Sequence, residues 1–169
     1  HRSNASCLSG LPPWPTESPP PPQGVIVKLL VSQGHGLAGA SAQYYDAGWQ
    51  TIPGSTDASG TLVTGIPTTR GNLTFRMTYA HASTDMAQNV TSNPIVTFQT
   101  AHVTVELRDS AGNLMPDGEG TGAVQYYAGG WRDFGTTTGG QASKELLPLT
   151  YSFSMNYAFA RQEKGGQNV

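Results

Sequence analysis

The sequence predicts an all-β protein, with two tandem antiparallel β-sandwich domains of about 78 residues each behind an extended proline-rich tail. Three observations predict it. Gln43-Tyr44-Tyr45-Asp46-Ala47-Gly48-Trp49 returns as Gln125-Tyr126-Tyr127-Ala128-Gly129-Gly130-Trp131. Apolar residues alternate with period two in short runs, as half-buried strands require. Gly, Pro, Asp and Asn interrupt the chain too often for helices, which need about 10–12 residues free of such breakers.

Residues 1–24 read as the tail. Leu11-Pro12-Pro13-Trp14-Pro15 and Ser18-Pro19-Pro20-Pro21-Pro22 favour polyproline II, a solvated backbone with few donors for a sheet. The tail is either a stiff spacer or a segment that docks on a neighbouring subunit, with Trp14 as its anchor. Cys7, the one cysteine, excludes an internal disulfide and is either an incidental thiol or half of an intermolecular one. The start, His1-Arg2-Ser3-Asn4, has no apolar core after it and does not read as a signal peptide.

The first repeat occupies residues 25–100. Val25, Val27, Leu29 and Val31 line one face of a first strand, and Gly34-His35-Gly36 is a turn. A second strand spans Ala40 to Trp49, with Ala42 and Tyr44 inward and Tyr45 outward. A short third strand is expected between Pro53-Gly54 and Asp57-Ala58-Ser59-Gly60, and a fourth over Thr61–Ile66. The fifth is the clearest, with Leu73, Phe75, Met77 and Tyr79 on one face. Ala87–Val90 makes a sixth. Ile95–Gln99 makes a seventh, with Val96 and Phe98 inward.

The second repeat occupies residues 101–169. Val103, Val105 and Leu107 follow Val25, Val27 and Leu29 by 78 positions, and the Tyr-Tyr motif returns after 82. The differences fall in turns, where loops tolerate them. Tyr151, Phe153, Met155, Tyr157 and Phe159 are expected on the inner face of its fifth strand. Gln167-Asn168-Val169 matches Gln88-Asn89-Val90, so the counterpart of the seventh strand is missing from residues 101–169. A missing strand leaves unpaired backbone groups and an apolar slot. Either the natural chain continues, or another chain supplies the strand. Within the tail, only Ser3–Leu11 is poor enough in proline to serve.

Asp109-Ser110-Ala111-Gly112-Asn113, Thr136-Thr137-Thr138-Gly139-Gly140 and Leu147-Pro148-Leu149-Thr150-Tyr151-Ser152-Phe153 mark successive turns and strands. Together they resemble the carboxypeptidase-regulatory-like and immunoglobulin-like (Greek-key type) β-sandwich repeats of large prokaryotic surface proteins. The resemblance covers about residues 25–169 and implies stalks, spacers, adhesin modules or fibre units. Some such domains carry a Lys–Asn isopeptide bond. Lys28 lies on the face opposite the valines, its counterpart is Glu106, and no acidic catalyst matches, so it reads as a solvent-facing lysine.

Charged residues are 12% of the chain, against roughly 25% in average domains, and the net charge is −2. No basic face for nucleic acid follows, nor any membrane span. The hydroxyl-rich, low-charge profile suits a secreted or cell-surface protein. His35, His81 and His102 are scattered without metal-ligand spacing. Asp117-Gly118-Glu119 lacks the ligand count of a calcium loop. No nucleophile elbow or phosphate loop occurs. Catalytic residues, metal and cofactor are accordingly expected to be none.

Asn4, Asn72 and Asn89 open Asn-x-Ser/Thr sequons and are glycosylation candidates. Tyr45, Trp49, Tyr127 and Trp131 are interface candidates, since outward amphipathic rings suit protein contacts. The expected function is a non-enzymatic subunit of an extracellular fibre or stalk that self-associates into a homopolymer. The alternative is a carbohydrate-binding or adhesive module of a larger secreted protein.

Overall fold

A computed structural model describes residues 24–169. Asn4, Cys7, Trp14 and the Ser3–Leu11 candidate lie outside the described residues. The described chain is all-β apart from two single 3-10 turns at Thr68–Arg70 and Asp117–Glu119.

In the first repeat the strands are β1 (Ile26–Leu30), β2 (Ser41–Tyr45), β3 (Trp49–Thr51), β4 (Thr61–Val63), β5 (Asn72–Tyr79), β6 (Ala82–Asn89) and β7 (Ile95–Gln99). They form a sheet of order β4-β1-β7 and a sheet of order β3-β2-β5-β6. β1 pairs antiparallel with β4 but parallel with β7, Val27 facing Val96 and Leu29 facing Phe98. Period two then fixes the core. Val25, Val27, Leu29, Phe75, Met77 and Val96 are all fully buried between the sheets. Burying a side chain such as Phe75 contributes about 1.5–3 kcal/mol.

The second repeat runs β8 (Ala101–Glu106), β9 (Ala123–Tyr127), β10 (Trp131–Thr136), β11 (Gln141–Leu146), β12 (Thr150–Tyr157) and β13 (Ala160–Asn168). The four-stranded sheet returns as β10-β9-β12-β13, and opposite it, among the described residues, stands the pair β11-β8. Its core is richer in rings. Tyr126, Phe134 and Phe153 meet edge to face at centroid separations of 6.3 and 5.7 Å, a favoured aromatic geometry.

Several expected boundaries move. The second strand stops at Tyr45, because the chain reverses at Ala47 and Gly48, both at positive φ, and Trp49 pairs back with Tyr45. The third strand is therefore Trp49–Thr51, ahead of Pro53. Thr56 is not in a strand. Its buried hydroxyl accepts from the Ala40 N–H at 3.0 Å and donates to the Leu37 carbonyl at 2.7 Å. The fourth strand ends at Val63, since the Thr64 hydroxyl is engaged by Val25 and the Ile66 N–H.

The sixth strand starts at Ala82, not Ala87. Ala80 and His81 both take positive φ and close a two-residue hairpin, which the sequence hides because such turns usually use Gly or Asn. Ala158 and Phe159 repeat this turn. Phe159 is thus at a hairpin tip, fully exposed, and not on the inner face expected of it.

Two glycine positions, one in each repeat, are set by the same close approach. Gly60 has φ +72°, and a Cβ there would lie 2.1 Å from the Leu29 carbonyl oxygen. Gly140, at φ +77°, makes the matching approach to Leu107. Each carries the carbonyl that receives the N–H of the residue it crosses, Leu29 at 2.8 Å and Leu107 at 2.7 Å.

The two repeats meet through specific contacts. Leu147, from the second repeat, is fully buried in the first core, and Leu149 and Ala82 touch both cores. The Tyr126 hydroxyl donates to the Ala80 carbonyl at 2.8 Å. Glu145 on β11 accepts from the Ser32 N–H and hydroxyl and from the Thr100 hydroxyl.

Candidate functional site

The clearest asymmetry between the repeats is at β8. Val25, Val27 and Leu29, along β1 and its lead-in, are fully buried, whereas Val103, Val105 and Leu107 are only partly covered. The cause is topological. β1 has neighbours on both edges, while among the described residues β8 pairs only with β11. Beside β8 lies an open groove of about 830 Å³, with Val105, Leu107, Phe153, Met155 and Val169 in its walls and Lys164 at its lip. Met77 is fully buried, and its counterpart Met155 is not.

Backbone direction sharpens the site. The N–H groups of Val25, just before β1, and of Leu29 donate on the β4 side, to Ile66 and Gly60, and that of Ile26 donates to Pro94 at the head of β7. Leu107 N–H likewise donates to Gly140 on the β11 side. Strand alternation therefore aims the Thr104 and Glu106 N–H groups at the open edge.

The residues that guide β7 into place are also present twice. Gln88 Nε2 donates to the carbonyls of Asn93 and Ile95 at 2.7 and 2.8 Å, and Asn89 Oδ1 accepts from the N–H groups of Thr91 and Ser92. Their counterparts turn elsewhere. Gln167 Nε2 donates to Gly165, and Asn168 Oδ1 accepts from the Thr150 hydroxyl. Val169 nonetheless holds the place of Val90, its N–H donating to Leu149 as that of Val90 does to Gly71.

The outward rings form a second repeated feature. Tyr45 and Tyr127 are each 51% exposed and meet Trp49 and Trp131 edge to face at 5.5 and 5.6 Å. A guanidinium covers each indole, Arg76 at 4.0 Å and Arg161 at 4.6 Å. The two arginines come from different strands, β5 and β13. Ser154 stands where Arg76 would recur, and it is buried with its hydroxyl unpartnered. Spacing alone could not reveal this equivalence, because the cation keeps its place in space and changes its place in sequence.

Among solved structures, the Bacillus anthracis TIE protein has a similar chain. Identity is 13% and the TM-score 0.33, over 85% of this chain and 31% of that one. This chain spans about a third of that protein's length. No family model matches, and no curated protein matches.

The other candidates lie apart from the groove. Asn72 and Asn89 are exposed cross-strand partners on β5 and β6. Among the described residues no three metal-ligating side chains cluster. Asp117 Oδ1 accepts from the Gly139 N–H at 2.7 Å, which ties two loops together. Lys28 is partly buried beside Thr61 and Thr97.

Burial pushes the Tyr151 hydroxyl up to about 12, and it donates to the Leu147 carbonyl. Sequence reasoning passed over Glu145, Ser32 and Thr100, whose meeting needs the two repeats folded together. It also passed over Thr56 and Thr137, both buried threonines that bond the backbone opposite, Thr137 accepting from the Gly122 N–H at 2.8 Å. Their similar distances from the Tyr-Tyr motif, 11 residues after Tyr45 and 10 after Tyr127, were a signal that could have found them.

Proposed function

We propose that this chain is an extracellular structural protein, a subunit of a cell-surface fibre or stalk. In this reading the two repeats are immunoglobulin-like β-sandwich domains of the class found in prokaryotic surface proteins, and the open second one is completed by a further strand. The observation that carries it is the edge of β8. The first repeat buries Val27 completely with β7 paired alongside, whereas among the described residues Val105 stands beside an open groove. Exposed edges and apolar slots of this kind drive association. The polar junction around Glu145, with Leu147 set into the first core, suits two units held in a fixed relation.

Electron microscopy of the purified chain at neutral pH, with sedimentation over a concentration series, tests this. Regular filaments or concentration-dependent oligomers are expected. A strictly monomeric chain whose second repeat is stable without any partner overturns the reading.

A second reading, as a sugar-binding or adhesive module, draws on the paired exposed rings Tyr45–Trp49 and Tyr127–Trp131. The arginine over each indole leaves less ring face for a sugar. Retention on a glycan array, lost in Trp131→Ala, would favour this reading over the first.

A further inference from the structure

We propose that the groove beside β8 is an acceptor site for one kind of partner, an extended peptide strand with the chemistry of Ile95–Gln99. The inference rests on the structural reading above and specifies the partner at its open edge. The strand is five residues long, runs parallel to β8, and carries apolar side chains at its second and fourth positions.

Polarity and register come from the occupied copy of the site. β7 lies parallel to β1 with Ile95 facing Ile26 and Gln99 facing Leu30. The 78-residue correspondence carries Ile26–Leu30 onto Thr104–Arg108. The second residue of the incoming strand then faces Val105 and the fourth faces Leu107. These are the places of Val96 and Phe98, exposed by 0% and 2% in the first repeat. The Thr104 and Glu106 N–H groups supply donors for its carbonyls. The first, third and fifth residues face outward, beside Thr104, Glu106 and Arg108, where polar side chains are tolerated. A polar side chain at the second position would be buried against Phe153 and Met155 without a partner, so that position calls for an apolar residue.

The strand comes in at the Val169 side. In the first repeat Val90 precedes β7 by a short turn that Gln88 and Asn89 hold. Gln167 and Asn168 hold equivalent positions, with their side chains bonded locally. Filling the groove releases them to clasp the incoming backbone.

The test adds a synthetic Asn-Pro-Ile-Val-Thr-Phe-Gln peptide, the sequence of residues 93–99, to the full chain. Amide exchange at Thr104 and Glu106 is expected to slow at least tenfold. A control peptide with its apolar residues moved by one position should have no effect, because a one-residue slip turns every side chain to the other face. A spin label at the peptide's amino end should broaden resonances near Thr104, not those near Arg108.

A second arm fuses the same segment after Val169 through the natural Thr91-Ser92 spacing. Slowed exchange in either arm supports the site, and the fused arm answers the case in which free peptide binds too weakly. Unchanged exchange in both arms, equal effects of the shifted peptide, or antiparallel broadening overturns it. So does protection of Thr104 and Glu106 by a second copy's β8 with no peptide present. Filaments that form while these amides stay unprotected would sink the acceptor site and spare the structural reading. Protection without any filaments would do the reverse.

Discussion

The Ser32 hydroxyl donates to Glu145 Oε1 at 2.8 Å, joining positions 113 residues apart. The same carboxylate accepts from the Ser32 N–H at 3.1 Å and from the Thr100 hydroxyl, with His102 Nδ1 at 3.2 Å. It is the polar lock between the repeats. Glu145→Ala should lower stability by about 1–3 kcal/mol, the range for donors left without a charged partner. Denaturant titration measures this, and small-angle scattering should register a looser pair.

Glu145 also sets a pH dependence. Burial pushes its carboxyl up, but hydrogen bonds from Thr100, Ser32 and His102 together hold it below the ordinary 4.5. A lowered folded value means the contribution is complete above 4.5 and is lost as pH falls through the folded value. The melting-temperature difference between the wild type and Glu145→Gln should thus be largest near neutrality and shrink in acid. A constant difference down to the acid transition would contradict the lock.

Gly60→Ala should be far costlier than Gly39→Ala. Both glycines have positive φ, +72° and +86°, but only at Gly60 does an added Cβ meet backbone, at 2.1 Å. Gly39→Ala should cost about 1–2 kcal/mol from conformation alone, and Gly60→Ala should exceed it by shifting the crossing at Leu29. Midpoints of chemical denaturation give the comparison.

Thr56→Val keeps the shape and removes the hydroxyl that serves the Ala40 N–H and the Leu37 carbonyl. Leaving these groups unpaired should cost about 1–3 kcal/mol. Thr137→Val should act similarly in the second repeat through the Gly122 N–H.

Val27→Ala and Val105→Ala delete the same two methyl groups at matched positions. Val27 is fully buried and Val105 is not, so the first should destabilise by about 2 kcal/mol or more and the second by clearly less. Thermal melts that follow each repeat separately read the asymmetry.

The fold was legible where alternation and repetition agreed. Val25, Val27 and Leu29, then Leu73, Phe75 and Met77, declared their strands because one face of each is buried. The repeat register drew attention to β8, which among the described residues pairs with β11 alone. Reading stopped where the deciding partner is remote or the turn residue unusual. Ala80-His81 and Ala158-Phe159 turn at positive φ without Gly or Asn, so the start of β6 and the exposure of Phe159 could not be seen. Glu145 belongs to no motif in the sequence, and its role exists only once folding brings Ser32 and Thr100 to it. Arg161 replaces Arg76 from another strand, which no linear alignment of the repeats displays.

The parallel pairing of β1 with β7 governs how the first repeat meets tension. The chain enters at the start of β1 and leaves at the end of β7, through Thr100 into β8. These two points lie at opposite ends of one strand pair. A pull between them loads the rungs from Ile26–Ile95 to Leu30–Gln99 in shear, all at once, instead of peeling them singly. The second repeat, as described, has no such clamp. Tension entering through β8 leaves through β13, and among the described residues β8 pairs with β11 alone. A β7-type strand in the groove would give it the same load-bearing geometry.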